Sequence, residues 1–137
     1  MNKIFINTDG GARGNPGPAA SAFVIKDDEG NVLFTGQKCL GVGTNNEAEY
    51  MAVKIAFEEV KSKLSDKFPL EIEVKADSLL IVNQLSGIFK IKNPRLKVIL
   101  DEIKILEAEI GKIRYIYIPR AQNFEADALV NSALDNN

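Results

Sequence analysis

Four acidic residues, far apart in the sequence, stand at positions where their carboxylates could act together. Asp9 follows the segment KIFINT, and Asp77 ends the alternating segment LEIEVKAD. Glu49 lies in TNNEAEYMAV and Asp127 lies in PRAQNFEADALVN. Carboxylate oxygens in a chain with no histidine and one cysteine favour magnesium or manganese over zinc. The four acids therefore predict a divalent metal site, provided that the fold brings them together.

Three of these acids also have ordinary structural explanations. Asp9 precedes two glycines and could be a turn residue, while Asp77 could cap the helix that follows it. Asp127 could complement the dipole of a last helix. Taken singly, each of these positions would be weak evidence for a metal site.

Glu49 is harder to explain as a surface residue. On a helix it shares its stripe with apolar residues at spacings of three, four, seven and eleven, namely Ala52, Val53, Ala56 and Val60. A carboxylate that points inward costs several kcal/mol unless it is protonated, paired or bound to metal. Glu47, by contrast, shares its face with Lys54 and Glu58 and is expected to be solvated. Only Glu49 thus needs a functional explanation.

The hydrophobic pattern predicts the elements that must position these acids. Strands are expected at residues 3–8, in AASAFVIKD, in NVLFTGQKCLG, at 70–77 and in IRYIYI, and helices at 46–64, 78–86, about 94–110 and from about Asn123. This order indicates an α/β domain with a mixed sheet. If the strands that end at Asp9 and Asp77 run side by side in parallel, their ends lie about 5 Å apart. The carboxyl ends of strands are also where such sheets bind ligands.

Composition limits the class of protein. With 137 residues, 45% of them hydrophobic, residues 1–137 are expected to form a single domain with its own core. The apolar runs are too short for a membrane helix, the start MNKIFINTDGG has too short an apolar run for a signal peptide, and Cys39 has no partner for an internal disulfide. We therefore expect a cytoplasmic location and no membrane partner. The net charge of −2 gives no sign of a nucleic-acid partner.

Four motifs taken in order carry a resemblance to a known family. The segments TDGGARGNPGPAASAFVI, TNNEAEYMAV, KADSLLIVNQL and PRAQNFEADALVN together resemble type 1 ribonuclease H, from about Ile4 to Leu134. The resemblance implies a ribonuclease H-like fold, a five-stranded mixed sheet of order 3-2-1-4-5 flanked by helices, with strands 1, 4 and 5 parallel. It also implies an endonuclease that hydrolyses the RNA strand of RNA:DNA hybrids and leaves 5′-phosphate and 3′-hydroxyl ends.

The resemblance assigns roles to the four acids as catalytic and metal-binding residues. It implies two Mg²⁺ ions, with Mn²⁺ as a possible substitute. Asp9 would lie between the ions, Asp127 would hold the water-activating ion, and Glu49 with Asp77 would hold the other. Two ions roughly 3.5 to 4 Å apart lower the pKa of an attacking water and neutralise the leaving oxygen.

Further residues match substrate contacts of the family. Backbone groups of Gly10, Gly11 and Ala12, together with Asn46, would contact the 2′-hydroxyl that distinguishes RNA from DNA. Thr44 and Asn46 would hold a phosphate of the DNA strand. A Thr-Asn pair that enters a helix is equally an ordinary capping sequence, so both interpretations of Thr44 stay open.

The chain departs from the family pattern in three respects. Many relatives carry a mobile histidine near the last aspartate, whereas Arg120 stands in that region here and can act only electrostatically or as a surface cation. Leu79 replaces a glutamine that contacts RNA in some relatives, and is expected to pack in the core. The basic protrusion of certain relatives is missing, which leaves as candidate phosphate contacts Lys90, Lys92, Arg95, Lys38 and Arg13.

The leading interpretation is therefore a hybrid-specific endonuclease that acts as a monomer without an obligate protein partner. One alternative is a catalytically weak nucleic-acid-binding module of the same fold. Another is a small acidic scaffold domain whose carboxylates are only surface charges. Cleavage of a hybrid would support the endonuclease, binding without cleavage would support the binding module, and neither binding nor metal uptake would support the scaffold.

Overall fold

The computed structural model describes residues 2–136, which form one sheet flanked by four α-helices. In chain order the elements are β1 (Lys3–Ala12), β2 (Gly17–Asp27), β3 (Val32–Gly43), α1 (Asn45–Lys63), β4 (Leu70–Ala76), α2 (Leu79–Leu85), α3 (Pro94–Ile110), β5 (Gly111–Tyr117) and α4 (Phe124–Asp135). Two short 3-10 turns lie at Ser65–Lys67 and Arg120–Gln122. The predicted order of strands and helices is confirmed.

The sheet has the strand order β3-β2-β1-β4-β5. Strand β1 pairs antiparallel with β2 and parallel with β4, and β4 pairs parallel with β5. The α/β fold class and the mixed sheet implied by the resemblance are thus confirmed. The pairing of β1 with β4 places the ends of these two strands side by side, as the metal-site prediction requires.

Strand β1 is longer than predicted. It continues through Gly10 and Gly11 to Ala12, because both glycines pair with β2 opposite Ser21 and Ala20. The interpretation of Asp9 as a turn residue is therefore wrong, and its side chain projects from a paired strand.

The helices cover the two faces of the sheet unequally. Helix α1 packs on β1 and β2 and also contacts α3, whereas α4 contacts β1, β2 and β3. The core between α1 and the sheet consists of large apolar side chains, among them Ile4, Ile6, Ile72, Val74, Val53 and Phe57. No helix within residues 2–136 combines the length and the hydropathy that crossing a membrane requires.

Helix α2 corrects two predictions. Its N-cap is Ser78, whose hydroxyl accepts a hydrogen bond from the Ile81 backbone N–H, so Asp77 does not cap the helix. Leu79 was expected in the core, but 55% of it is exposed. As the first residue of the helix it points away from the buried stripe, which is formed by Ile81, Val82 and Leu85.

Candidate active site

Three of the four predicted acids meet at one end of the sheet. Asp9 lies in β1, Asp77 directly follows β4, and Glu49 lies one turn into α1. Each offers a carboxylate oxygen, and these oxygens all lie within 4.8 Å of one another. That spacing allows one cation to contact more than one of the three carboxylates. Proximity of this kind is what the parallel pairing of β1 with β4 predicted.

The close seating of α1 on the sheet brings Glu49 to this position. A Cβ on Gly10 would lie 2.3 Å from the carbonyl carbon and oxygen of Ala48, so only glycine permits this approach. Across the strand pair, the buried Ser21 hydroxyl donates a 2.6 Å hydrogen bond to the Ala48 carbonyl oxygen. Together these two contacts hold the first turns of α1 against β1 and β2, with Glu49 beside Asp9.

Asp127 lies in the first turn of α4 and lines the same cleft, but it is not part of the group of three acids. Its Oδ1 lies 3.8 Å from Nη2 of Arg120, whose side chain is 84% exposed. Its Oδ2 accepts a 3.5 Å hydrogen bond from the Asn131 side-chain amide. The structure therefore places the fourth predicted acid at the wall of the cleft.

The electrostatics of the cleft disfavour negative charge. Burial raises the pKa of Asp9 to about 8, and repulsion from Asp77, Glu49 and Asp127 adds to that effect. Burial followed by repulsion from Asp77 raises the pKa of Glu49 to about 7, although a hydrogen bond from Ser78 and the charge of Arg120 act in the opposite direction. Near neutral pH these carboxyl groups thus retain protons until a cation compensates their charge.

The donor set fits a hard divalent cation. All of its ligand atoms are carboxylate oxygens, and the group contains no thiolate and no imidazole. Without a cation, the acids must remain protonated or repel one another. Burial and mutual repulsion raise the pKa values of Asp9 and Glu49, and a divalent cation held by these carboxylates would oppose both effects.

The predicted substrate contacts divide into two groups. Gly10, Gly11, Ala12 and Arg120 line the cleft, whereas Thr44 and Asn46 lie outside its lining. The Ala12 backbone N–H already donates a 2.8 Å hydrogen bond to the Asn45 side chain, so this group is not free for a substrate. Asn45 also lines the cleft and had not been singled out from the sequence.

Thr44 is the N-cap of α1. Its hydroxyl accepts a hydrogen bond from the Glu47 backbone N–H, and the Glu47 carboxylate accepts one from the Thr44 backbone N–H. Glu47 also pairs with Arg95 at 3.3 Å, and only 19% of its side chain is exposed. The prediction that Glu47 is simply solvated is therefore wrong, because its carboxylate completes a capping box.

The cations proposed as phosphate contacts lie in different environments. Arg13 lines the cleft and pairs with Asp135 at 2.6 Å, while Arg95 pairs with Glu47. Lys38, Lys90 and Lys92 are exposed on the surface. Their contact with a nucleic acid stays a prediction.

Asn123 is a site residue that sequence reasoning missed. It was expected only to begin the last helix, yet it is 1% exposed and lies behind the acid cluster. Its side-chain amide donates to the Thr8 carbonyl oxygen at 2.8 Å and to Oδ2 of Asp77 at 3.0 Å. An asparagine ahead of a helix is common, so no local signal in the sequence distinguishes this role.

Comparison with known proteins agrees with this geometry. Residues 7–133 match the family described as reverse transcriptase-like. The Bifunctional protein Rv2228c of Mycobacterium tuberculosis is 39% identical over 134 residues, which are 97% of this chain and 36% of that protein. Ribonuclease HI of Halobacterium salinarum is 37% identical over 134 residues, which are 98% of this chain and 65% of that protein. The chain thus spans less than two thirds of the length of these relatives.

A solved structure matches over nearly the whole length of both chains. LC11-RNase H1, crystallised in complex with an RNA/DNA hybrid, superposes with a TM-score of 0.93 and is 42% identical. The match covers 97% of this chain and 97% of that chain. With the strand order, the acid cluster and these similarities taken together, the chain belongs to the type 1 ribonuclease H family.

Proposed function

We propose that this protein is a metal-dependent endonuclease that hydrolyses the RNA strand of RNA:DNA hybrids and leaves 5′-phosphate and 3′-hydroxyl ends. The observation that carries the proposal is the group of three carboxylates, Asp9, Glu49 and Asp77, at the end of two parallel strands. The complex of LC11-RNase H1 with an RNA/DNA hybrid supports the substrate class. The name of the Halobacterium salinarum relative, Ribonuclease HI, supports the reaction.

The acids are proposed to hold two divalent ions, Mg²⁺ or in its place Mn²⁺. Asp9, Glu49, Asp77 and Asp127 would supply the protein ligands, because all four line one cleft. When bound, such ions lower the pKa of an attacking water and offset charge on the scissile phosphate. The protein's contribution is to hold its carboxylates in place before substrate arrives, so that little reorganisation is needed during reaction.

Arg120 is proposed to contact phosphate. Its guanidinium is exposed at the cleft and stays protonated at working pH, so it can attract phosphate oxygens but cannot carry a proton. Since the chain contains no histidine, no imidazole shuttles protons in this site. Proton transfer to the leaving oxygen must therefore involve solvent or one of the carboxyl groups.

The two glycines after Asp9 are proposed to have different functions. Gly10 is required by the close approach of α1. A Cβ on Gly11 would find its nearest neighbours at 3.9 Å, on Val130, and at 4.0 Å, on Asn45, so Gly11 has open space in the cleft. We assign the close approach of the RNA backbone and its 2′-hydroxyl to Gly11, with Asn46 as a further contact of the 2′-hydroxyl. Thr44 and Asn46 are proposed to hold a phosphate of the DNA strand.

We further propose that residues 1–137 act as one domain, as a monomer and in the cytoplasm. One continuous sheet that carries a shared core supports the single domain. Gel filtration coupled to light scattering tests the monomer.

The proposal is tested with labelled RNA:DNA hybrid, duplex RNA, duplex DNA and single-stranded RNA of one sequence, each incubated with Mg²⁺ or Mn²⁺. We expect cleavage of the RNA strand of the hybrid and new 5′-phosphate ends. Asp9→Asn should abolish cleavage, while Asp28→Asn, the same change at an exposed turn, should leave it intact. Binding of hybrid without cleavage would support the weak binding module, and neither binding nor metal uptake would support the acidic scaffold.

A further inference from the structure

Two asparagines behind the acid cluster form a short hydrogen-bonded chain that ends on Asp77. The side-chain amide of Asn7, in β1, donates a 3.0 Å hydrogen bond to Oδ1 of Asn123. The Asn123 amide nitrogen then donates to Oδ2 of Asp77 at 3.0 Å and to the Thr8 carbonyl oxygen at 2.8 Å. The pair thus joins the strand that carries Asp9, the end of β4 and the start of α4.

The direction of these hydrogen bonds is fixed by which groups can donate a proton and which can only accept one. Asp77, when ionised, and the Thr8 carbonyl only accept hydrogen bonds, so both require the NH₂ side of Asn123. The oxygen of Asn123 then faces Asn7 and requires a donor there. If Asn123 rotated its amide by half a turn, its oxygen would face two acceptors in a buried place, which is costly. Asn7 therefore favours the orientation of Asn123 that supports Asp77.

We propose that Asn7 is a positioning residue, which acts through Asn123 to fix the rotation of the Asp77 carboxylate and so tunes divalent-metal affinity. The inference rests on the proposed function, because it assumes that Asp77 is a metal ligand. Hydrogen bonds from an outer residue hold a ligating group in one orientation and thereby lower the cost of binding. Asn7 itself lies in β1 opposite Lys75 of β4, outside the set of residues that line the cleft.

The decisive variant is Asn7→Asp, which keeps the size of the side chain and removes its NH₂ group. A carboxylate at this position accepts hydrogen bonds only, so it competes for the NH₂ side of Asn123 and pulls it away from Asp77. We expect Mg²⁺ or Mn²⁺ affinity, measured by calorimetry without substrate, to fall about 10-fold, the lower end for outer residues of metal sites. The added negative charge by itself would raise metal affinity, whereas loss of the hydrogen bond to Asn123 would lower it. The two effects of Asn7→Asp therefore differ in sign.

Lys75→Gln is the matched control. It makes the same change of net charge directly opposite Asn7 and leaves both asparagines in place. We expect its metal affinity to equal or exceed that of the unaltered protein. Asn7→Ala removes the support without competing for Asn123, and it should lower metal affinity by about 3-fold. Excess metal should restore kcat of both Asn7 variants, with KM for the hybrid unchanged.

A direct readout is the side-chain NH₂ resonance of Asn123 in ¹⁵N-labelled protein, which should shift strongly in Asn7→Asp and little in Lys75→Gln. Metal affinity of Asn7→Asp that equals or exceeds that of the unaltered protein would overturn the inference, as would lower affinity with an unshifted Asn123 resonance. Should Asn7→Asp fail to fold, unchanged affinity of Asn7→Ala would overturn it. If the unaltered protein takes up no metal, the proposed function fails as well, whereas normal hybrid cleavage with inert Asn7 variants removes this inference alone.

Discussion

Acidic side chains have opposite environments in two regions of this protein. Away from the cleft, in the middle of β4, Glu73 lies between two cations, 3.5 Å from Lys3 and 3.4 Å from Arg114. In the cleft, one oxygen from each of three carboxylates lies within 4.8 Å of the other two, and Arg120, which is mostly exposed, pairs at 3.8 Å with the fourth acid, Asp127. Lysine and arginine side chains neutralise Glu73. Among residues 2–136, no lysine or arginine forms an ion pair with Asp9, Glu49 or Asp77, so their charge must be offset by protons or by a bound cation.

This difference separates acidic residues that are compatible with a stable fold from acidic residues that reduce its stability and serve the proposed function. Ion pairs with a solvent-exposed cation contribute little to stability, and both partners of Glu73 are exposed, so removing Lys3 or Arg114 should have a small cost. The cleft acids destabilise the metal-free fold, since burial and mutual repulsion raise the pKa values of Asp9 and Glu49. Removing charge should therefore have opposite effects on stability in the two regions.

The largest expected effect comes from Asp9→Asn. We expect hybrid cleavage to fall by about 10³-fold or more, because the substitution removes a group that positions charge in the transition state. The metal-free variant should nevertheless melt several degrees higher than the unaltered protein near pH 8, since a repelled, buried carboxylate has been neutralised. Calorimetric melting in a chelator and single-turnover cleavage measure the two quantities. A lower melting temperature in the variant would contradict the comparison.

The second prediction concerns pH. The pKa of Asp9 rises from 3.8 to about 8 on folding and that of Glu49 from 4.5 to about 7, so the folded state binds more protons than the unfolded state between these values. The metal-free protein should therefore lose stability as the pH rises from about 4 to about 8. Melting temperature against pH in a chelator measures this slope.

Two controls test whether the cleft carboxyl groups cause this dependence of stability on pH. Asp9→Asn should flatten it, because the carboxyl group whose pKa rises further on folding than that of Glu49 no longer titrates. Saturating Mg²⁺ should also oppose it, since metal binding displaces protons from the carboxyl groups and strengthens with pH. A metal-free protein that becomes more stable between pH 5 and 8 would show that the cleft acids are compensated within the fold.

Much of the fold followed from local pattern. The alternation of Leu70, Ile72 and Val74 predicted β4, and the stripe of Ala52, Val53 and Ala56 predicted the buried side of α1. Glu49 could be singled out because it interrupts that stripe. The closeness of Asp9 and Asp77 followed from the strand order, which the family resemblance supplied and periodicity alone did not.

Other features depend on contacts between distant parts of the chain. Asn123 meets Thr8 and Asp77 across separations of 115 and 46 residues, so no window of sequence contains the network. Leu79 appeared apolar enough for the core, but its position at the start of α2 turns it outward. Glu47 appeared solvated because its partner Arg95 lies in another helix.

A moderate effect is expected at Thr44, which caps α1 and is also proposed to contact a DNA phosphate. Thr44→Ala should cost about 1 kcal/mol of stability, as loss of an N-cap usually does. Glu47→Ala removes the other half of the capping box and is the matched control. We expect both variants to melt earlier, but only Thr44→Ala should raise KM for the hybrid by a few-fold. Equal KM values in the two variants would show that Thr44 only caps α1 and does not contact the DNA phosphate.

The smallest expected effect lies in a second charge-paired region, between helices α1 and α3. Lys54 of α1 and Glu102 of α3 pair at 2.5 Å, with 22% and 42% of their side chains exposed. A double-mutant cycle with Lys54→Ala and Glu102→Ala should give a coupling energy below about 1 kcal/mol that weakens in high salt. Metal affinity and hybrid cleavage should not change. A coupling energy above about 2 kcal/mol would show that this ion pair is desolvated, as the cleft acids are. The two regions would then differ only in whether the acids have cationic partners, and not in their exposure to solvent.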